Sequence, residues 1–330
     1  MNGTQIRGLA LIAALTLATL MMSAKCKKDE PAANGAQEQS VKIRLAIQPG
    51  NIHVLAQELG YFKEEGLDVE ISTFSYGPPI IEALTSGSVD FGLLGDLPVF
   101  SGVANGIDIR IPAIASSSSL SYGMLVRSDA GINVFADLKG KKVAVPFGSN
   151  VQPLLYLYLE KAGLKDTDLE IINLSATDSI GAITGGRIDA AVIWDPYLTL
   201  GVAQSGGKVK LLSTAEGYKV FVNPLIARGA FVDNYPEQTA AFLRALNKAL
   251  VWVRENEEDA MKLLSEISEV PLDIIRINLP KADIRPNLTK ERIDAMVTSA
   301  DEAYRYGLLP DKIDVASHIT TAFLEKAGIQ

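Results

Sequence analysis

The chain has 330 residues, a formal net charge of −8 and 48% hydrophobic residues. That length allows two domains with substantial cores, and the apolar content indicates that most of the chain folds. An acidic chain without clustered Lys and Arg is not expected to bind nucleic acid.

The N-terminal segment has the pattern of an export signal. Residues 1–8 carry Arg7 and no acid, and residues 9–22 form an apolar run that is too short to span a bilayer. Cys26, the only cysteine, follows this run, and a polar stretch continues to residue 40. We expect residues 1–25 to be a signal peptide and residues 26–40 to be a flexible tether.

Cys26 is the candidate lipid-bearing residue. An apolar run, a lone cysteine and a polar tether resemble the signal of a bacterial lipoprotein, in which that cysteine becomes the N-terminus. Lys25 departs from the pattern because the preceding residue is normally small, so a freely soluble exported protein is the alternative. The sequence therefore predicts an exported protein, in the periplasm or on an extracytoplasmic membrane face, that contacts the membrane through its lipid only.

Short apolar strands alternate with helices as far as residue 224, which is typical of mostly parallel sheets covered on both faces. The predicted strands span 41–48, 68–74, 89–94, 109–115, 123–127, 142–145, 170–174, 188–194, 208–212 and 219–223. Amphipathic helices then replace the strands. They are predicted at 236–256, 258–268, 271–278, 289–306 and 315–327.

Part of the chain is repeated. Residues 83–104 match residues 182–203 at a constant offset of 99, with eight of 22 positions identical, among them Asp90 with Asp189 and Asp96 with Asp195. Each copy has the pattern of a helix end, a buried strand and a turn that carries an aspartate into the next helix. We therefore expect two equivalent α/β lobes with a ligand between them.

The C-terminal helices have no strands of their own to cover, so we expect them to pack on the first lobe. That lobe would then be discontinuous and comprise residues 41–125 and 225–330. The second lobe would comprise residues 126–224.

Small polar side chains follow the predicted strands. In open parallel sheets, ligands meet the carboxyl ends of the strands, where helix N-termini also point. Gln48 and Asn51 follow the first strand, Asp96 the third, and Trp194 and Asp195 the eighth. Hydroxyls, amides and backbone N–H groups suit a small anion that carries no proton, although any one such residue can equally be a helix cap.

Four segments carry a resemblance to a known family. They are Ser86-Gly-Ser-Val-Asp-Phe-Gly with Gly95-Asp96, Asp137-Leu-Lys-Gly-Lys-Lys-Val-Ala-Val, Gly148-Ser-Asn-Val, and Ile188-Asp-Ala with Trp194-Asp-Pro-Tyr. The chain resembles the substrate-binding proteins of ABC importers for aliphatic sulfonates, nitrate and taurine over residues 42–260. The resemblance implies a two-lobed periplasmic binding protein fold of type II, with mostly parallel sheets flanked by helices and a ligand cleft between the lobes.

The resemblance also implies a function and a site. The protein would be a monomer that closes on a small organic anion and delivers it to a membrane permease driven by an ATPase. The family's ligand contacts map onto Gln48, Gly95, Asp96, Ser118, Ser149, Asn150, Gln152, Trp194 and Asp195. Gln152 departs from the family pattern, because several sulfonate-binding members have His at this position. The basic residues that nitrate binders bring to the cleft are not evident in this sequence.

Other functions stay open at this point. A nitrate binder, a thiamine-precursor pyrimidine binder, and an enzyme or sensor on the same fold are the alternatives. The cysteine-rich motif of pyrimidine binders is absent, and no cofactor or metal motif occurs. His53 is expected on a helix surface, and the chain outside residues 1–40 has no cysteine for thiol catalysis. We therefore expect a binding protein rather than an enzyme.

Overall fold

A computed structural model describes residues 41–329. They form ten strands in two five-stranded sheets. The first sheet contains β1 (Lys42–Ile47), β2 (Asp68–Thr73), β3 (Phe91–Leu93), β4 (Ile109–Ser118) and β10 (Phe221–Arg228); the second contains β5 (Tyr122–Arg127), β6 (Lys142–Ala144), β7 (Glu170–Ile172), β8 (Ala190–Trp194) and β9 (Val209–Thr214). The predicted signal peptide, Cys26 and the tether lie outside the described residues.

The two sheets have equivalent strand orders. The first runs β2-β1-β3-β10-β4 and the second β7-β6-β8-β5-β9. In each sheet, three parallel strands are followed by one antiparallel strand, and the last strand runs in the direction of the first three. By this order β1 corresponds to β6, β3 to β8 and β10 to β5. The expected equivalence of the two lobes is therefore confirmed.

The repeated aspartates occupy corresponding positions. Asp90 accepts hydrogen bonds from the backbone N–H and the guanidinium of Arg44, and from Arg228. Asp189 accepts from the backbone N–H of Lys142 at 2.9 Å and lies 3.3 Å from Nη2 of Arg127. Each aspartate thus precedes the central strand and ties it to the neighbours on both sides.

Thirteen α-helices cover these sheets within the described residues. They are α1 (Leu55–Glu58), α2 (Tyr61–Glu64), α3 (Gly77–Thr85), α4 (Asp96–Ala104), α5 (Val151–Ala162), α6 (Ala176–Thr184), α7 (Tyr197–Ala203), α8 (Gly229–Asn234), α9 (Pro236–Glu255), α10 (Glu257–Ser268), α11 (Leu272–Asn278), α12 (Lys290–Arg305) and α13 (Ala322–Ala327). Short 3₁₀ turns lie at Ile52–Val54, Phe135–Leu138, Asp166–Asp168, Leu279–Lys281 and Val315–His318.

Both faces of each sheet are buried, as a mostly parallel sheet requires. On one face of the first sheet, Phe91 stacks on Phe242 of α9, which stacks on Phe62 at a centroid distance of 5.2 Å. The opposite face packs against α3, α4 and α12. In the second sheet, α5 covers one face, and α6 and α7 cover the other.

The C-terminal helices follow the predicted pattern with one difference. Helices α9 to α12 lie within two residues of the predicted positions, because their apolar faces recur at helical spacing. The predicted helix 315–327 is instead a 3₁₀ turn at Val315–His318 and the separate helix α13. Among residues 41–329, no helix combines the length and apolar character that a membrane span requires.

The sheets to which β5 and β10 belong place the two crossings between the lobes at other positions than predicted. The whole of β5 belongs to the second sheet, so the first crossing lies at 119–121 rather than at 125/126. The whole of β10 belongs to the first sheet, so the second crossing lies at 215–220 rather than at 224/225. The predicted boundaries fell inside these strands because β5 is apolar up to Arg127, whereas Asn223-Pro224 interrupts the apolar residues of β10 and resembles a strand end.

Candidate functional site

A cavity of about 210 Å³ lies between the two sheets at their crossing segments. The first sheet contributes the ends of β1, β3 and β4, the second contributes the end of β8, and α10 and α11 form a third side. The lining residues include Gln48, Asn51, His53, Leu93, Ser116, Ser118, Ser121, Tyr122, Trp194, Asp195, Asn223, Ser268 and Asn278.

Polar groups on the strands next to both crossings form one side of the cavity. Asn223 Nδ2 donates to Ser116 Oγ at 3.0 Å and to the Tyr122 hydroxyl at 2.9 Å. We call these three residues the hinge cluster, because they join β4 and β10 of the first lobe to β5 of the second. Burial raises the pKa of Tyr122 to about 12, so its hydroxyl keeps its proton, which it donates to Asn223 Oδ1 at 3.1 Å.

Apolar side chains form the facing side. They come from α10, from α11, from the connection between these helices and from the segment 279–288, which we call the strap. We call these side chains the apolar wall; they are Leu264, Val270, Ile275, Leu279 and Ile284. The strap pairs with β4 through backbone hydrogen bonds between Ser117 and Asp283 and between Ile114 and Asn287. It therefore belongs to the first lobe.

The described cavity lining has no Lys or Arg and one carboxylate, Asp195. Lys281 of the strap donates to Asp195 Oδ2 at 2.7 Å, and Thr199 donates to Asp195 Oδ1 through its backbone N–H and its hydroxyl. The side chain of Asp195 is only 6% exposed. The cavity thus contains neutral donors and an ion pair whose charges cancel.

His53 is buried beside the cavity rather than exposed on a helix, so the predicted surface position is wrong. Its ring Nδ1 lies 2.8 Å from Asn51 Oδ1, which also accepts from the His53 backbone N–H. Burial lowers the pKa of His53 to about 4. The imidazole is therefore neutral, with the Nδ1 proton pointing at Asn51, and it offers no positive charge to an anion.

Five of the ten predicted site residues line the cavity: Gln48, Asn51, Ser118, Trp194 and Asp195. The Ser118 hydroxyl donates to the strap carbonyl of Lys281 at 2.6 Å, so it holds the strap in place. The Trp194 ring packs edge to face on Tyr197, with 6.3 Å between ring centroids. Asn51 serves also as the cap of the 3₁₀ turn that carries His53.

Two further predicted residues meet where the lobes touch. A Cβ at Gly95 would lie 2.5 Å from Cγ of Asn150, which stands at the start of α5 in the second lobe. Gly95 thus allows the N-terminus of α4 to approach the N-terminus of α5. Glu160 of α5 accepts from Arg305 and from the Tyr306 hydroxyl, so the lobes also touch at these residues.

The remaining three predicted residues use their side chains within their own lobes. Asp96 is buried and accepts from Ser299 and from the Leu97 backbone N–H. Ser149 is buried and donates to the carbonyl of Pro146. The side-chain oxygen of Gln152 accepts from the Gly148 N–H at 2.7 Å.

The sequence did not indicate Tyr122 and Asn223 of the hinge cluster, nor Ser121, Asn278, Lys281 and the apolar wall. Tyr122 and Asn223 stand next to the two crossings, so correct crossing positions would have pointed to them. The strap has no periodic pattern, and its approach to the cavity depends on long-range pairing with β4. Within residues 41–329, no cluster of His, Cys, Asp or Glu could hold a metal ion.

Two lobes with equivalent strand orders, joined by two crossings and enclosing a cavity at the strand ends, define the class of two-lobed periplasmic binding proteins. Each sheet is mixed and mostly parallel, and helices flank it. The predicted fold class is therefore confirmed.

Comparison with known proteins identifies the family to which the chain belongs. The family model described as NMT1/THI5 like matches residues 51–260, and the chain belongs to this family. A relative from Bacillus subtilis (strain 168), named as an aliphatic sulfonates-binding protein, is 31% identical over 302 residues, which cover 89% of this chain and 90% of the relative. A relative of the same name from Escherichia coli (strain K12) is 31% identical over 299 residues, covering 86% and 90%.

A solved structure agrees with these relatives. The alkanesulfonate-binding protein SsuA from Xanthomonas axonopodis pv. citri, bound to MOPS, superposes with a TM-score of 0.77 at 26% identity. The superposition covers 84% of this chain and 98% of that structure. The fold of this chain is thus that of a binding protein solved with a small molecule.

Proposed function

We propose that this protein is the extracytoplasmic solute-binding component of an ABC importer, and that it captures an aliphatic sulfonate between its lobes for delivery to a permease and its ATPase. The observation that carries the proposal is the two-sided cavity, with the hinge cluster on one side and the apolar wall on the other. The names of the relatives support the same ligand class.

The hinge side suits the sulfonate group. A sulfonate stays ionised at any physiological pH, so its site needs donors and no proton acceptor. The hydroxyls of Ser116 and Ser121 and the amide of Gln48 are such donors, and the hydrogen bonds of Asn223 to Ser116 and Tyr122 hold the hinge cluster in place. Fixed dipoles of this kind bind oxyanions without a formal positive charge.

The apolar wall suits the carbon chain of the ligand. Burial of each methylene contributes about 0.8 kcal/mol, and the five side chains of the wall provide the surface for it. Nitrate and sulfate have no carbon chain and would leave this wall unused. We therefore favour an organic sulfonate over nitrate, and the solved relative with bound MOPS, an organic sulfonate, supports this preference.

The ligand is expected to leave unchanged. The relatives are named as binding proteins, and in the described residues the cavity offers no thiol and only a neutral imidazole, that of His53. Analysis of the recovered ligand by mass spectrometry checks this, since any converted product would indicate an enzyme on this fold.

Calorimetry tests the proposed ligand. We expect the mature protein to bind at least one alkanesulfonate with a Kd near one micromolar, about −8 kcal/mol. Taurine, nitrate, sulfate and hydroxymethylpyrimidine complete the panel. No heat from any sulfonate would overturn the proposal, and binding of the pyrimidine alone would replace it with the alternative ligand.

We further propose that the exported chain is a monomer anchored through a lipid on Cys26. The apolar run before this cysteine and the polar stretch after it support the proposal. Cys26→Ala should move the protein from the membrane fraction to the soluble fraction, with its ligand affinity unchanged. An unchanged membrane fraction would exclude the anchor, and light scattering on the soluble variant gives the oligomeric state.

A further inference from the structure

We propose that Lys281 is a positioning residue that makes the cavity prefer sulfonates without an ammonium group. The inference rests on the proposed function. Lys281 occupies the single carboxylate of the described lining, Asp195, which a cationic group of the ligand would otherwise use.

The contacts of Lys281 are saturated. Its Nζ donates to Asp195 Oδ2 at 2.7 Å, to Thr199 Oγ1 at 3.0 Å and to Asn278 Oδ1 at 3.0 Å. An ammonium has three donors, so none remains for the ligand. Lys281 therefore acts on the cavity through Asp195 rather than by direct contact with the bound anion.

Asp195 is already paired, because three of the roughly four hydrogen bonds that a carboxylate can accept are present. Oδ2 accepts from Lys281, and Oδ1 accepts from the N–H and the hydroxyl of Thr199. An ammonium group on the ligand would lose water in this cavity and meet a carboxylate whose charge Lys281 already neutralises, which is costly. Taurine carries such a group, whereas ethanesulfonate has the same carbon number without it.

The ion pair joins the two lobes. Lys281 belongs to the strap of the first lobe, and Asp195 follows β8 of the second. Without the lysine, Asp195 would keep its negative charge beside the bound anion, and like charges at close range repel. The same free carboxylate would attract a ligand ammonium, so one substitution should change selectivity in a defined direction.

The experiment measures the Kd values of ethanesulfonate and taurine by calorimetry on the mature protein. In Lys281→Gln, we expect ethanesulfonate to weaken about tenfold and taurine by much less, so the ratio of taurine Kd to ethanesulfonate Kd falls several-fold. Lys281→Arg keeps the charge and should keep the wild-type ratio. Adding Asp195→Asn to Lys281→Gln should restore ethanesulfonate binding to within about threefold of wild type.

A matched control and a second variant make the test specific. Lys290→Gln removes a lysine from another Lys–Asp pair, with Asp294, on an exposed part of α12, and should leave both Kd values unchanged. Asp195→Asn alone leaves Lys281 without its carboxylate, so the ratio should rise instead of fall. This variant keeps the inference testable if Lys281→Gln does not fold, as judged by circular dichroism.

The outcomes separate the two proposals. If no sulfonate binds the wild-type protein, the proposed function fails, and this inference falls with it. If sulfonates bind but the Kd ratio stays constant in a folded Lys281→Gln protein, only the role of Lys281 is overturned. Equal weakening of both ligands without rescue by Asp195→Asn would likewise reduce Lys281 to a structural contact.

Discussion

The two lobes place the same sequence motif in different surroundings. Asp96 and Asp195 are 99 residues apart and occupy corresponding positions after β3 and β8. Asp96 is buried inside the first lobe and bonds to Ser299, whereas Asp195 lines the cavity and pairs with Lys281 of the other lobe. A repeated fold position thus fixes where an aspartate lies but not its partner, because the partner comes from elements outside the repeat.

The residue before each aspartate also differs between the two copies of the repeat. Gly95 lets the lobes touch, and Trp194 places a large ring at the cavity. The two copies of the repeat therefore differ in role: the first permits close approach of the lobes, and the second provides an aromatic surface in the cavity.

The largest effect is expected at Trp194. Trp194→Ala should weaken alkanesulfonate binding about 100-fold, because it removes a half-buried aromatic surface from the cavity. Calorimetry gives the change in Kd, and thermal unfolding gives the accompanying change in stability. A large loss of stability with an unchanged Kd would make the ring part of the core and remove the contrast with Gly95.

The next largest effect is on the free energy of unfolding and should differ between Asp90 and its counterpart Asp189. Asp90→Ala should lower the free energy of unfolding by about 2 kcal/mol, because it leaves two arginines without the buried carboxylate they share. Asp189→Ala should cost about 1 kcal/mol, since that carboxylate is more exposed and its arginine lies farther away. Urea denaturation at pH 7 measures both; equal costs would show that the two lobes are stabilised alike.

The effect of Gly95→Ala should be smaller and act through closure. The added methyl would collide with the Asn150 side chain, so we expect about tenfold weaker binding with little change in stability. Asn150→Gly should restore the affinity in the double variant. Gly181→Ala in α6 adds its methyl to open space and should leave the Kd unchanged; the same loss there would exclude a specific role for Gly95.

The smallest effect concerns the pH dependence of stability and has opposite signs at Asp90 and Asp96. Burial by itself raises the pKa of Asp90, but the hydrogen bonds of Arg44 and Arg228 outweigh it and leave that pKa below its usual value. Its stabilising contribution is therefore present above the pKa of the unfolded chain and is lost as the pH falls through the folded pKa.

At Asp96 burial dominates and raises the pKa, although Lys219 and the hydrogen bond from Ser299 oppose it. The folded protein therefore carries a penalty for the ionised carboxylate at neutral pH that disappears as the pH falls. Asp96→Asn should be slightly more stable than wild type at pH 7, and the difference should shrink toward pH 4 in urea titrations. A difference that does not vary with pH would mean that Asp96 does not titrate in this range.

The sequence predicted the features that local patterns encode. Buried strands such as β8 appear as short apolar runs, and the repeat at Asp90 and Asp189 predicted two equivalent sheets. The strand-end rule placed Gln48, Trp194 and Asp195 at the cavity, because chain direction in a parallel sheet fixes which end carries the ligand.

The rest depends on contacts between distant parts of the chain. Ser149 and Asn150 follow a strand as Asp195 does, yet neither lines the cavity: Ser149 bonds within its own lobe, and Asn150 meets Gly95 of the first lobe. Lys281 lies in the strap, whose position comes from backbone pairing with β4. Its hydrogen-bond partner in β4, Ser118, is 163 residues away in the sequence. No local periodicity encodes such a pairing.

The neutral lining has a consequence for where the protein can operate. His53 loses its proton near pH 4 and Tyr122 only near pH 12, so both keep one charge state across the whole range that a cell envelope meets. A sulfonate is likewise ionised throughout that range. Capture of the solute should therefore continue when the surroundings turn acidic or alkaline, in a compartment that does not regulate its own acidity.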